Sequence, residues 1–191
     1  MIKKGERTEY PFHLRPFAST GETRGISLRG RVQRFSGEVF INYRLEGDLQ
    51  SLVLPAPNRG FSRRHELWRK TCFELFFSVP DEASYWEVNL APDGDWNCYN
   101  FAGYRREMQE EAAMDGIISH TDFVGREFSL SCHLPLGRLV ADDQPLVLGI
   151  AAVLVDTAGA VSYWALDHCN NMPDFHDKTS FILQIAPMVK R

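Results

Sequence analysis

Apolar and polar residues alternate with period two along much of this chain, the mark of half-buried strands. Ile26, Leu28 and Val32 stand against Ser27, Arg29 and Arg31, and Val39, Ile41, Tyr43 and Leu45 form the next run. Ser51 to Leu54 is a short run that stops at Pro55. Thr71 to Val79 and Tyr85 to Leu90 flank a five-residue loop, residues 80–84, which predicts a hairpin. Asp93-Gly94 turns the chain into Trp96 to Phe101. Phe128, Leu130, Cys132 and Leu134 alternate again. Leu146 to Val155 and Val161 to Leu166 are joined through Ala158-Gly159, and Phe181 to Ile185 closes a set of ten strands. Two segments read as helical: a turn from Ser62, as cap, through Trp68, and Tyr104 to Met114, whose YRREMQEEAAM composition favours a helix. Neither recurs between strands as βαβ units require. The expected fold is an all-β antiparallel β-sandwich, immunoglobulin-like or jelly-roll in type, forming a single domain over residues 9–191 behind a frayed tail, residues 1–8.

Composition narrows this further. A chain of 191 residues suits one domain, and its 12% aromatic content agrees with strands. A net charge of −4 argues against a general nucleic-acid-binding surface. The first residues hold lysines but no apolar run, so no signal peptide is expected and the cytoplasm is the expected compartment. The longest apolar stretch, Pro145 to Val155, is too short to span a bilayer, so no membrane partner is expected. Cys72, Cys98, Cys132 and Cys169 show no CxxC spacing and read as reduced thiols. Charge is uneven: residues 1–70 hold 14 Lys and Arg against 7 Asp and Glu. That half ends in Arg59, Arg63, Arg64, His65, Arg69 and Lys70, either a solvated loop or a collar for an anionic ligand.

Candidate chemistry falls in two places. On the central hairpin, Phe73, Leu75, Phe77, Trp86, Val88 and Leu90 make the natural core face. The opposite face gathers Glu74, Glu87 and Asn89 beside Phe76 and Tyr85. Carboxylates and an amide bind hydroxyls while rings stack on C–H faces, so this set suits a polyol. The plainer alternatives are an exposed polar sheet face, or Glu74 paired with Arg69 or Lys70. Glu74 and Glu87 also admit an acid/base reading, as in glycoside hydrolysis. The second place is the run from Trp164 to His176, with Asp167, His168, Cys169, Asp174 and His176. These are metal-ligand types, but H-C-x4-D-x-H matches no established zinc signature. The two histidines either bond backbone carbonyls or line a pocket beside Trp164. No GxGxxG, P-loop or GxSxG motif is present, and Cys72 and Cys98 show no activating neighbours.

The stretch LWRKTCFELFF, followed by YWEVNLAPDGDWNCYNFAGYR, resembles the central region of DOMON-like domains and is similar in layout to carbohydrate-binding module family 9. The matching residues are Trp68, Cys72, Glu74, Glu87, Asn89, Pro92 and Gly94. The tail YWALDHCNNMPDFHDKTSF resembles the closing part of bacterial DOMON-like proteins, through Tyr163, Trp164, His168, Pro173, Phe175 and His176. The resemblance implies a β-sandwich that binds a sugar or haem without catalysis. Better-known sugar-binding members are secreted enzyme appendages, whereas neither a signal peptide nor a catalytic partner domain is expected from this sequence. Haem-binding members use Met and His as axial ligands, for which Met172 and His168 are the nearest counterparts here. The expected function is therefore non-catalytic binding of a carbohydrate-like or other polar small molecule. Its expected site is Glu74, Phe76, Tyr85, Glu87, Asn89, Trp164, His168 and His176, with Trp164 stacking on the ligand. Haem binding for electron transfer or sensing is the alternative. A metal-dependent hydrolase using His168, Cys169, Asp174 and His176 is a further one. A protein-interaction module using its exposed sheet or basic loop is a fourth reading, which a purely apolar face in place of the Glu and Asn set would have favoured.

Overall fold

A computed structural model describes residues 8–20, 23–57 and 61–188. The alternating runs become antiparallel strands: β1 (Glu9–Pro16), β2 (Ser27–Phe35), β3 (Glu38–Glu46), β4 (Cys72–Ser78), β5 (Tyr85–Leu90), β6 (Trp96–Phe101), β7 (Gln109–Glu110), β8 (Ser119–Val124), β9 (Glu127–Pro135), β10 (Leu146–Val155), β11 (Val161–Ala165) and β12 (Leu183–Ile185). They join into one curled sheet in the order β7-β6-β5-β4-β10-β11-β1-β2-β3-β9-β8, with β12 beside β10. The turning point is β1. Its residues from Glu9 to Leu14 pair with β2, and Arg15 and Pro16 pair with β11.

Because the sheet curls there, the inner faces of its halves meet. Phe73 of β4 packs 5.1 Å from Tyr43 of β3 and 5.6 Å from Phe128 of β9, centroid to centroid. The Tyr43 hydroxyl donates to the Glu74 carbonyl at 2.8 Å, satisfying a buried polar group. Leu14, Leu28, Ile41, Leu45, Leu75, Val88, Leu130 and Ile150 fill the rest of this core.

Antiparallel all-β architecture is thus as expected, but several local readings are corrected. Residues 104–114 are a turn followed by β7, and no α-helix occurs among the described residues. Arg105 and Glu107 hold left-handed backbone (φ 51° and 54°), which interrupts any helix. Tertiary bonds override helix propensity there: Glu111 accepts from the Trp86 indole at 3.0 Å, and Glu110 from Asn97 at 2.9 Å. Ser62 caps no helix. Its carbonyl accepts from the Trp96 N–H at 3.0 Å, and the short 3-10 turn lies later, at Leu67–Arg69. Ser51 to Leu54 is no strand either, but a 3-10 turn over Leu49–Ser51 and one bridge from Leu52 to Asp156. Strands β1, β7 and β8 are additions to the expected set. Of the expected tail, residues 1–7 lie outside the described residues.

Candidate functional site

Pairing register places the site on the outer face of the β4 half. Glu74 lies opposite Asn89 on β5 and Ala151 on β10, while Glu87 lies opposite Phe76 on β4 and Tyr99 on β6. Period two brings Tyr85, Asn97, Phe101, Val153 and Tyr163 onto the same face. This face is covered. Phe175 and Phe181 from the chain after β11, and Trp68 from the 3-10 turn before β4, pack on it. Gly149 makes the covering possible, since a Cβ there would lie 2.6 Å from the Phe181 ring. The cover leaves a cavity of about 460 Å³, within the range of small-molecule sites. Glu74, Glu87 and Val153 form its base on the sheet. Trp68, Phe101, Tyr163, Pro173, Phe175 and His176 wall it, and Arg105 and Met108 complete the lining.

Both carboxyl groups are buried, Glu74 at 2% exposure and Glu87 at 3%. Asn89 donates to Glu87 Oε1 at 2.7 Å and is itself fixed by the Cys72 thiol, which donates to Asn89 Oδ1 at 3.3 Å. Glu74 Oε1 has no hydrogen-bond partner among the described residues. Such an atom is costly to bury and marks a place where a ligand can contribute. Burial, then repulsion from Glu87, pushes the Glu74 carboxyl well above the ordinary range. Burial pushes Glu87 up to about 7, against the hydrogen bond from Asn89 and the field of Arg105. His176 Nε2 lies 3.8 Å from Glu87 Oε2, and Nδ1 lies 2.8 Å from the Tyr85 hydroxyl oxygen. Burial, then Arg105, lowers His176 to about 4, so the ring is neutral near pH 7. The tautomer that suits both neighbours has Tyr85 donate to Nδ1 and Nε2–H face Glu87. Tyr85 also accepts the Arg105 backbone N–H at 3.1 Å and stacks on Phe101 with centroids 4.7 Å apart. Across the rim, Asp174 accepts from Arg105 at 2.9 Å and from Tyr104 at 2.6 Å, tying the residue 102–106 turn to the loop after β11. Burial opposes ionisation of Asp174, but hydrogen bonds from Tyr104, Arg105 and the His176 backbone outweigh it and lower its pKa.

The expected site residues divide into three groups. Glu74, Glu87 and His176 line the cavity. Phe76, Tyr85 and Asn89 lie buried beside them as supports; Phe76 packs edge-on against His176 at 5.3 Å. Trp164 and His168 are not brought in. Trp164 points through the sheet into the main core, and its indole donates to Ser162 Oγ at 3.0 Å. Its neighbour Tyr163, opposite Val153, takes the cavity position, because one step along a strand reverses the face. His168 Nε2 sits 2.9 Å from the Arg15 carbonyl, with its ring edge-on to Phe17. Sequence reasoning missed Phe101, Arg105, Met108 and Tyr163 as lining residues. It quoted Tyr163, Pro173 and Phe175 only for family resemblance, and Trp68 for that and as the end of the turn from Ser62. Phe101 was within reach of the period-two pattern of β6, whereas Arg105 was hidden in the mistaken helix.

Other candidate chemistry disperses. Arg69 pairs with Glu66 at 2.8 Å, and no ion pair among the described residues joins it to Glu74. Arg59 lies outside the described residues. Arg63 lies over the Trp96 ring at 4.5 Å and donates to Asn97 at 3.0 Å, while His65 Nδ1 is 2.9 Å from the Tyr99 hydroxyl. These contacts dock the loop on β6, while Arg64, Arg69 and Lys70 stay exposed. Among the described residues no three His, Cys, Asp or Glu side chains gather as a metal cluster. His168, Cys169, Asp174 and His176 each have separate partners. Met172 is 75% exposed and the His168 Nε2 is engaged, so this pair does not fit the two sides of a haem iron. Cys72, Cys98 and Cys132 are buried free thiols, and Cys169 is an exposed one.

The sequence matches no family model and no curated protein. Its fold is similar to solved structures. One is a Bacteroides uniformis protein provisionally described as carbohydrate-binding, with TM-score 0.64 and 11% identity, covering 91% of this chain and 84% of the other. A carbohydrate-binding module of family 9 from Caldicellulosiruptor kristjanssonii in complex with glucose gives TM-score 0.52 and 10% identity, covering 97% and 86%. A module of that family from the same organism in complex with cellotriose gives 0.50 and 11%, covering 84% and 74%.

Proposed function

We propose that this chain is a non-catalytic carbohydrate-binding domain, that its folded-over sheet is the β-sandwich of the DOMON and family 9 type, and that a sugar ring enters the cavity above Glu74 and Glu87. One observation carries the reading: Glu74, whose Oε1 has no hydrogen-bond partner among the described residues, lines a cavity walled by aromatic rings. A sugar answers both features. Its hydroxyls donate to carboxylate oxygens, and its C–H faces rest on Trp68, Phe101, Tyr163 and Phe175. Asn89 and Tyr85 act as positioning residues, holding Glu87 and His176, while Phe76 supports the ring of His176 from below. The two family 9 structures of similar fold, in complex with glucose and with cellotriose, support the same choice of ligand class.

The test is calorimetric titration of the purified chain with glucose, cellotriose and a panel of monosaccharides. Binding of at least one sugar is expected, and Glu74→Ala weakens it by about threefold to tenfold, the cost of losing a hydrogen bond to the buried carboxyl group. Absence of binding across the panel, or full affinity in Glu74→Ala, would overturn the assignment.

A further inference from the structure

Among the described residues the cavity is lined by two carboxyl groups and by no uncommitted cation. Glu74 and Glu87 are both buried at its base, and Glu74 Oε1 is unpartnered among the described residues. The guanidinium on the lining belongs to Arg105, which is committed to Asp174 at 2.9 Å. His176 is held by Tyr85 and is neutral near pH 7, with a pKa lowered to about 4. Without a ligand the carboxyl pair is relieved by keeping a proton, as the upward shift of both groups indicates. Four aromatic side chains line the same space, and the faces of such rings attract cations. A hydroxyl offers Glu74 one neutral hydrogen bond. An ammonium group offers up to three donors together with the missing positive charge.

Resting on the carbohydrate reading, we propose that the ligand is an amino sugar, its protonated primary amine seated between Glu74 and Glu87 and its ring against Tyr163, Phe175 and Trp68. The same charge balance disfavours acidic sugars, which would bring a third carboxylate to a buried pair.

Titration of the full chain at neutral pH with glucosamine, glucose, N-acetylglucosamine and glucuronate tests this. Glucosamine is expected to bind at least about tenfold more tightly than glucose, with N-acetylglucosamine no better than glucose and glucuronate silent. The heat of glucosamine binding should vary with the ionisation enthalpy of the buffer, because the ammonium displaces a proton from the carboxyl pair, and glucose should show no such dependence. Glu74→Gln keeps the shape and removes the charge, so glucose should still bind while the preference for glucosamine falls towards one. Glu87→Gln is the second variant should the first fail to fold. Glucose binding as tightly as glucosamine in the natural chain overturns the amino-sugar proposal and leaves the carbohydrate reading standing. Silence from all four sugars overturns the amino-sugar proposal, and silence across the wider panel overturns the carbohydrate reading as well.

Discussion

The two halves of the curled sheet use the same pleat to different ends. In the β2–β3–β9 half only alternate residues are buried: Val39, Ile41, Tyr43 and Leu45 point inward along β3. Its outer positions carry polar pairs that reach solvent, such as Arg31–Glu9 at 3.2 Å and Arg44–Glu127 at 3.9 Å. In the other half every residue of β4 is buried, because later segments of chain lie over its outer face. A covered sheet face can afford few polar groups, and each must be paired or available to a ligand. Asn89 and Asn97 are paired, while one oxygen of Glu74 is not. The difference between an inert face and a candidate site is therefore the cover, which converts a polar side chain from a solvated group into a directed one.

The largest effects should come from breaking the shared inner face. Phe73→Ala removes a ring that touches both halves, at a cost of roughly 3–5 kcal/mol measured by urea unfolding. Trp164→Ala should cost a similar amount. Tyr163→Ala should cost less than about 1 kcal/mol, since surface truncations do little, yet it should weaken sugar binding several-fold. These neighbours form an internal control for the face assignment. A Tyr163→Ala variant that unfolds, beside a stable Trp164→Ala variant that loses ligand, would show that the strand has been read inside out.

That pair also shows how much was legible beforehand. Nine of the ten alternating runs became strands, since period two is a local property that burial on one face enforces. Strand β1, EYPFHLRP, was masked by its two prolines, and the edge strand β8 by polar residues that face solvent. Glu74 and Glu87 were legible as neighbours, because hairpin register follows from loop length. That their face is buried was not, because its cover comes from residues about a hundred positions later. In VSYWA the local pattern is apolar at both parities, so it cannot say whether Tyr163 or Trp164 enters the core. Pairing of β11 with β10 decides it.

A smaller effect, of order 1 kcal/mol per pH unit for each proton involved, should separate the halves by pH. Glu74 and Glu87 have folded pKa values above their unfolded ones, Glu87 at about 7. The folded state binds more protons, so their contribution is full below the unfolded values and is lost as pH rises through the folded ones. His176 is opposite: lowered to about 4, it contributes above its ordinary value near 6.5 and is lost as pH falls. The two trends oppose each other between about 4.5 and 6.5. Above 6.5 the carboxyl groups alone set the sign, and ligand-free stability should fall towards pH 8. Glu87→Gln should flatten that fall in urea titrations at pH 6.5 and 8. A slope unchanged by this substitution would mean that the buried pair does not titrate there.

The smallest effect belongs to the uncovered face. Arg31 and Glu9 are joined at 3.2 Å, but their side chains are 47% and 43% exposed, so water and salt screen the pair. Arg31→Ala should change the unfolding free energy by less than about 1 kcal/mol, and added salt should shrink even that. Sugar affinity should stay as it is, because the pair bridges β1 and β2, away from the covered face of β4 and β5. The equivalent step on the covered face, Asn89→Ala, strips the buried Glu87 of its hydrogen-bond donor. It should cost about 1–3 kcal/mol and raise the pKa of Glu87 further. Equal costs for the two substitutions in the same unfolding assay would mean that the covering segments admit solvent freely. The contrast between the faces would then lie in composition alone, with no part played by the cover.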